Sequence, residues 1–181
     1  RDIFYDIDQA VEDFSQALAA DPGFTDVYTA LADLYANTPR LFDAFAAYNA
    51  AIAADPTDAY AYHNRGTLYA EIGNYTSALA DLNQAVALKP NFADAYYNLA
   101  GIYRGLGQYD EALANDTLAI NLGYDNLLAA YYNRGLDYYN LREFERAIND
   151  FTASLSYDFS FTRALIWRGN AYSELGNNDA A

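Results

Sequence analysis

The sequence predicts an all-α chain built of stacked helical hairpins, and three observations carry that prediction. The phrase AYHNRGTLY at 61–69 returns as AYYNLAGIY at 95–103 and as AYYNRGLDY at 130–138, at offsets of 34 and 35 residues. Recurrence at a fixed long period marks a repeat architecture. Each period holds two segments whose apolar residues recur at helical spacing. Only four prolines interrupt a chain dominated by alanine, tyrosine and leucine.

Residues 1–24 read as a second helix alone. It runs from about 6 to 20 with an apolar stripe of Ile7, Val11, Phe14, Ala17 and Leu18, and ends at Asp21-Pro22. Residues 25–58 read as a hairpin turning at Thr38-Pro39, with Thr38 as the cap and Pro39 at the first helical position. In 59–92 the first helix covers 59–72. Gly73 and Asn74 make the turn with Asn74 as N-cap, and Ala78, Leu79, Leu82, Ala85 and Val86 stripe the second helix until Lys89-Pro90 closes it. Residues 93–127 repeat the pattern with one inserted residue, and Gly123 is expected to end the second helix in a left-handed conformation. Residues 128–161 follow, with Asp158 after the last helix. Residues 162–181 read as a first helix alone, ending at Gly176-Asn177-Asn178. The chain is therefore expected to begin and end in mid-hairpin. With no initiator methionine and no basic-then-apolar leader, it reads as processed or excised from something longer.

These units resemble the tetratricopeptide repeat family over essentially the whole chain. The carrying residues are an aromatic (Tyr28, Tyr62, Tyr96, Tyr131), a small residue four later (Ala32, Gly66, Ala100, Gly135) and a tyrosine three further on (Tyr35, Tyr69, Tyr103, Tyr138). The second helix contributes an alanine (Ala44, Ala78, Ala112, Ala147) and a small residue seven later (Ala51, Ala85, Ala119, Ser154). Arginine replaces the usual leucine at Arg65, Arg134 and Arg168, and Leu165 stands where the aromatic is expected. The resemblance implies a right-handed α-solenoid, a superhelix with first helices lining its concave face. It also implies a core role for most of the tyrosines, including Tyr75, Tyr109 and Tyr172. Gly66 and Gly135 are expected where the two helices of a hairpin touch.

The composition excludes several kinds of chemistry. With no cysteine, thiolate metal sites and cysteine nucleophiles are absent, and His63 is the only histidine. No phosphate-cradling glycine loop occurs, since Gly101 and Gly105 fall inside a helix pattern. An enzyme, a cofactor and a metal centre are therefore not expected. A net charge of -15 disfavours nucleic acid. The acidic side chains read mainly as a solvated surface, and no segment is long and apolar enough to span a membrane.

Protein or peptide binding remains. Tyr60, Tyr97, Tyr132 and Tyr139 fall on the side of the first helices that the resemblance assigns to the groove, where a rigid ring with a hydroxyl suits recognition. Asn64, Asn98 and Asn133 recur at one position, and an amide ladder can pair with an extended backbone. That column is similar to the asparagine ladder of protein O-GlcNAc transferases. His63 and Arg104 complete the expected lining. Asp26, Asp33 and Asp94 favour a neutral or basic partner over an acidic one.

A second expectation is head-to-tail self-assembly into a filament through the end helices, with Phe14, Leu18, Trp167 and Leu175 as the buried residues. Ala171 and Tyr172 share the last helix. Asn74 and Asn115 head glycosylation sequons that matter if the chain is exported.

Overall fold

In a computed structural model of the chain, the residues described are 3–21, 25–36, 38 and 40–179. They form ten α-helices and no strand. These are α1 (Ile3–Ala20), α2 (Thr25–Ala36), α3 (Leu41–Ala54), α4 (Ala59–Glu71), α5 (Tyr75–Leu88), α6 (Ala93–Gly105), α7 (Tyr109–Asn121), α8 (Leu127–Asn140), α9 (Phe144–Tyr157) and α10 (Thr162–Asp179). The chain divides into two compact units, Arg1–Pro90 and Asn91–Ala181.

In the first unit α2 packs on α3 and α4 on α5, while α1 lies against α2 and α3 against α4. Small residues permit these approaches: Ala32, Ala44, Ala51, Ala78 and Ala85 are all fully buried. Leu31, Tyr35 and Tyr48 form a core with Leu68, and Val11, Phe14 and Leu18 of α1 pack on it. In the second unit α6 packs on α7, α7 on α8, α8 on α9 and α9 on α10. Its core gathers Phe144, Ile148, Phe151 and Ala171, with Trp167 and Leu175 against it.

Two glycines need their missing Cβ. A Cβ on Gly66 would stand 3.0 Å from Leu82 Cγ, and one on Gly135 would stand 2.7 Å from Phe151 Cε1. Both glycines thus sit in the contact between the two helices of a hairpin.

Helix ends follow local chemistry. Asp58 accepts from the backbone N–H groups of Tyr60 and Ala61 to start α4, Asn74 accepts from Ser77 to start α5, and Asn126 accepts from Ala129 to start α8. Gly73, Gly107 and Gly123 take left-handed φ after α4, α6 and α7. In the last case Tyr124 N–H reaches Ala119 O and Gly123 N–H reaches Ile120 O, which satisfies the orphan carbonyls. Arg142 takes the same conformation after α8, with φ 62°, where α4 and α6 are followed by glycine.

The structure corrects several expectations. Thr38 does not cap α3: its hydroxyl donates to Tyr35 O at the end of α2, and Arg40 is the N-cap, without a side-chain bond to the helix. Residues 176–178 do not stop the last helix, because α10 continues through Gly176 to Asp179. Tyr75 and Tyr172 are 40% and 56% exposed, so neither is core. The acidic residues are not all solvated, since Asp81, Asp116, Asp137 and Asp150 are buried. Pro22, Pro39 and the side chains of Ile7, Asn177 and Asn178 lie outside the described residues. No helix among the described residues is long and apolar enough to cross a membrane.

Candidate functional site

The first unit carries two adjoining hollows on the first-helix side. One, of about 360 Å³, lies between α2, α3 and α4 and is lined by Asp33, Tyr48, His63, Asn64, Thr67 and Glu71. The other, of about 370 Å³, is lined by Asp26, Thr29, Asp33, Asp58, Tyr60 and Asn64. Asp33 and Asn64 belong to both. Helical spacing puts them there: Asp26, Thr29 and Asp33 follow one face of α2, and Tyr60, His63, Asn64 and Thr67 one face of α4.

The polar groups are tied together. Asn64 Nδ2 donates to Asp33 Oδ1 at 3.0 Å, and Asn64 Oδ1 lies 2.8 Å from His63 Nδ1. Tyr48 OH also donates to Asp33 Oδ1, and burial together with that carboxylate pushes the phenol well above its ordinary pKa. Tyr60 is 53% exposed, and Lys89 Nζ lies 4.2 Å from its ring centroid. The ring face therefore already hosts a cation.

The second unit treats the corresponding residues differently. Tyr97 stacks on Tyr124 with ring centroids 4.2 Å apart, and its hydroxyl accepts from Asn133 Nδ2 at 2.9 Å. Burial raises the pKa of both phenols, that of Tyr124 to about 12. Asn98 is half-buried on α6. Tyr132 packs against Phe151 and Phe161, and Tyr139 against Phe144 and Trp167, so both serve the core. Arg104 is turned inward. Its Nε donates to Asp137 Oδ1 at 2.7 Å and its Nη2 to Asp137 Oδ2 at 3.0 Å and to Asp116 Oδ2.

Sequence reasoning missed the buried ion pairs. Arg65 forms a bidentate pair with Asp81, at 2.7 Å for both contacts, and Arg134 pairs with Asp150 at 2.7 and 2.9 Å. In each the carboxylate lies on the second helix, and its hydrogen bond is the main reason the guanidinium pKa is raised. The signal was present: Arg65 and Arg134 are each followed sixteen residues later by aspartate. The Arg104 cluster has no such recurrence.

The end-helix residues are inward-facing in part. Leu18, Trp167 and Leu175 pack on the cores of their own units, as Phe14 does in part. Asn74 is exposed at its cap, and Asn115 sits in α7, where Nδ2 donates to Glu111 O.

Residues 6–59, 47–80, 93–122 and 128–160 match family models described as tetratricopeptide repeat, and residues 66–103 match one described as TPR repeat. The chain is similar to the solved MamA protein at 28% identity and TM-score 0.73, over 83% of this chain and 82% of that one. It is also similar to YrrB, described as a TPR protein with an unusual peptide-binding site. There the identity is 24% and the TM-score 0.84, over 92% and 86% of the two chains. A tetratricopeptide repeat protein from Parabacteroides merdae aligns at 20% identity and TM-score 0.77, over 97% and 69%. These last two likenesses concern the fold. No curated protein matches the chain.

Proposed function

Because the chain belongs to the tetratricopeptide repeat family, we propose that it is a non-catalytic scaffold whose first helices bind a neutral or basic segment of another protein. Its repeat units are taken as 25–58, 59–92, 93–127 and 128–161. The observation that carries this reading is the pair of hollows meeting at Asp33 and Asn64. They offer carboxylates from Asp26, Asp33, Asp58 and Glu71, the half-exposed Tyr60, and amide and imidazole groups at Asn64 and His63. An arginine or lysine side chain suits such a lining, because a carboxylate rim attracts it. In the second unit Asn98 is the remaining candidate, with Tyr97 and Asn133 as a rigid wall, while Tyr132, Tyr139 and Arg104 act in packing.

Fluorescence anisotropy with alanine-based peptides carrying arginine, serine or glutamate tests this. The arginine peptide is expected to bind best, with the difference shrinking as salt rises. Asp26→Asn with Glu71→Gln, both exposed, is expected to weaken it by about two- to tenfold. Preference for the glutamate peptide at low salt, or no binding of any peptide, contradicts the reading.

A second reading draws on a separate observation, the exposed apolar side chains Leu165, Ile166 and Tyr172 of α10. It is self-association of the chain head to tail.

A further inference from the structure

The two hollows that share Asp33 and Asn64 differ in how far their charges are already met. In the hollow between α2, α3 and α4, the buried Leu68 and Tyr48 with Ala36 supply an apolar lining, and Asp33 and the exposed Glu71 supply carboxylates. A lysine or arginine side chain fits that combination, because its methylene stem lies along apolar surface while its charged head reaches out to an acid.

In the adjoining hollow the groups are engaged within the chain. Asp58 Oδ1 accepts from the backbone N–H groups of Tyr60 and Ala61, and Asp58 Oδ2 accepts from the Thr29 hydroxyl at 3.3 Å. Asp26 is exposed in the first turn of α2. Tyr60 holds the ammonium of Lys89, the only lysine of the chain, which lies 4.2 Å from the ring centroid and donates to the phenol oxygen. A positive charge therefore already stands at the Tyr60 edge of this hollow. A second cation entering there meets a like charge, and an uncharged side chain does not.

The helices also fix the spacing between the hollows. On α4 one is lined from His63 to Glu71 and the other from Tyr60 to Asn64; on α2 one is lined from Asp33 to Ala36 and the other from Asp26 to Asp33. Their centres are about five residues apart on both helices, an offset of about 7 Å at the α-helical rise. Alternate side chains of an extended segment point the same way and stand about 6.5–7 Å apart. We propose that the ligand is an extended segment lying along α2 and α4, with a lysine or arginine in the hollow of Glu71 and an uncharged side chain two residues away beside Tyr60, where Lys89 excludes a second cation. This rests on the peptide-binding reading above, and gives it a register and a specificity-determining residue.

Fluorescence anisotropy of the whole chain at near-physiological salt tests the proposal with three alanine–serine peptides. One carries a single arginine, one two arginines two residues apart, and one two arginines four residues apart. The last two have equal charge, so the ratio of their affinities removes the general attraction of a chain of charge -15. The wild type is expected to bind the two-apart peptide less tightly than the four-apart one, by about threefold. Lys89→Gln is expected to shift that ratio by about fivefold or more toward the two-apart peptide. Glu71→Gln is expected to weaken the single-arginine peptide by about two- to fivefold. Peptides that bind with the same ratio before and after Lys89→Gln overturn the register and leave the peptide-binding reading standing. Single-arginine binding that ignores Glu71→Gln overturns the assignment of the cation to that hollow. If no peptide binds the wild type or Lys89→Gln, the peptide-binding reading falls and this inference falls with it.

Discussion

The α8–α9 and α6–α7 pairs bury the same two residue types and treat them differently. Between α8 and α9 one guanidinium, Arg134, meets one carboxylate, Asp150, through two parallel hydrogen bonds. In α6 the arginine position is taken by Leu99, which is buried, and the nearby Arg104 faces two fully buried carboxylates, Asp116 and Asp137. The first arrangement is neutral. The second would carry one negative charge too many with both carboxyls ionised, and Asp116 Oδ1 has no hydrogen-bond partner among the described residues. A buried ion is tolerated when its partner and its remaining hydrogen bonds are supplied. The difference therefore teaches where protonation becomes part of the fold.

The largest effect comes from removing each guanidinium. Arg134→Leu strands one carboxylate and is expected to destabilise by about 3–5 kcal/mol at pH 8. Arg104→Leu strands two and is expected to cost more. The gap between the variants should narrow at pH 5, where carboxyls in the cluster accept protons. Urea unfolding followed by Trp167, the only tryptophan and a part of the second unit's core, measures both.

A smaller effect concerns the extra charge itself. Burial, and then the neighbouring Asp137, push the Asp116 carboxyl up to about 8 against the pull of Arg104, and burial raises Asp137 as well. The groups facing Asp116 are Arg104 and Tyr97 from α6 and Asp137 and Arg134 from α8. A raised carboxyl binds its proton more tightly in the folded state. Its contribution is therefore lost as pH rises from about 4, the unfolded value, to about 8, and is level above that. Asp116→Asn supplies a neutral group with donors. It is expected to flatten this slope and to stabilise by about 1–3 kcal/mol at pH 8. A variant that unfolds more readily than wild type at pH 8 breaks the comparison.

The smallest effect separates a buried glycine from an exposed one. Gly135→Ala places its Cβ against Phe151 and is expected to cost about 1–3 kcal/mol. Gly169→Ala meets nothing and should stabilise the monomer by up to about 1 kcal/mol through helix propensity. Thermal melts at low concentration distinguish the two.

The hairpins were legible because each leaves a periodic record. Asn74 announced its cap, Lys89-Pro90 its stop, Gly123 its left-handed turn, and Gly66 and Gly135 their tight contacts. The turn at Thr38 misled because the hydroxyl has two carbonyl and amide neighbours to choose from, and it serves the helix behind it. The end of α10 misled because Gly176-Asn177-Asn178 lie within the helix, which continues to Asp179. The recognition residues were half legible. Recurrence identified the asparagine column, yet Asn64 and Asn133 are engaged with Asp33 and Tyr97, pairings that need side chains from neighbouring repeats. Arg104 looked like a groove cation because its spacing to Asp116 and Asp137 repeats nowhere else. Only the packing of α6, α7 and α8 brings the three together.

Carboxyl-carbon NMR of aspartate-labelled protein, titrated from acid to alkaline pH, tests most directly the claim that neutral pairs close the regular hairpins while one cluster holds an extra buried carboxyl. The account predicts that one resonance, lost in Asp116→Asn, moves with a midpoint near 8, far above the ordinary carboxylate range. If every aspartate finishes titrating within that ordinary range, the cluster does not hold two carboxylates on one guanidinium, and the contrast between the two hairpins is wrong.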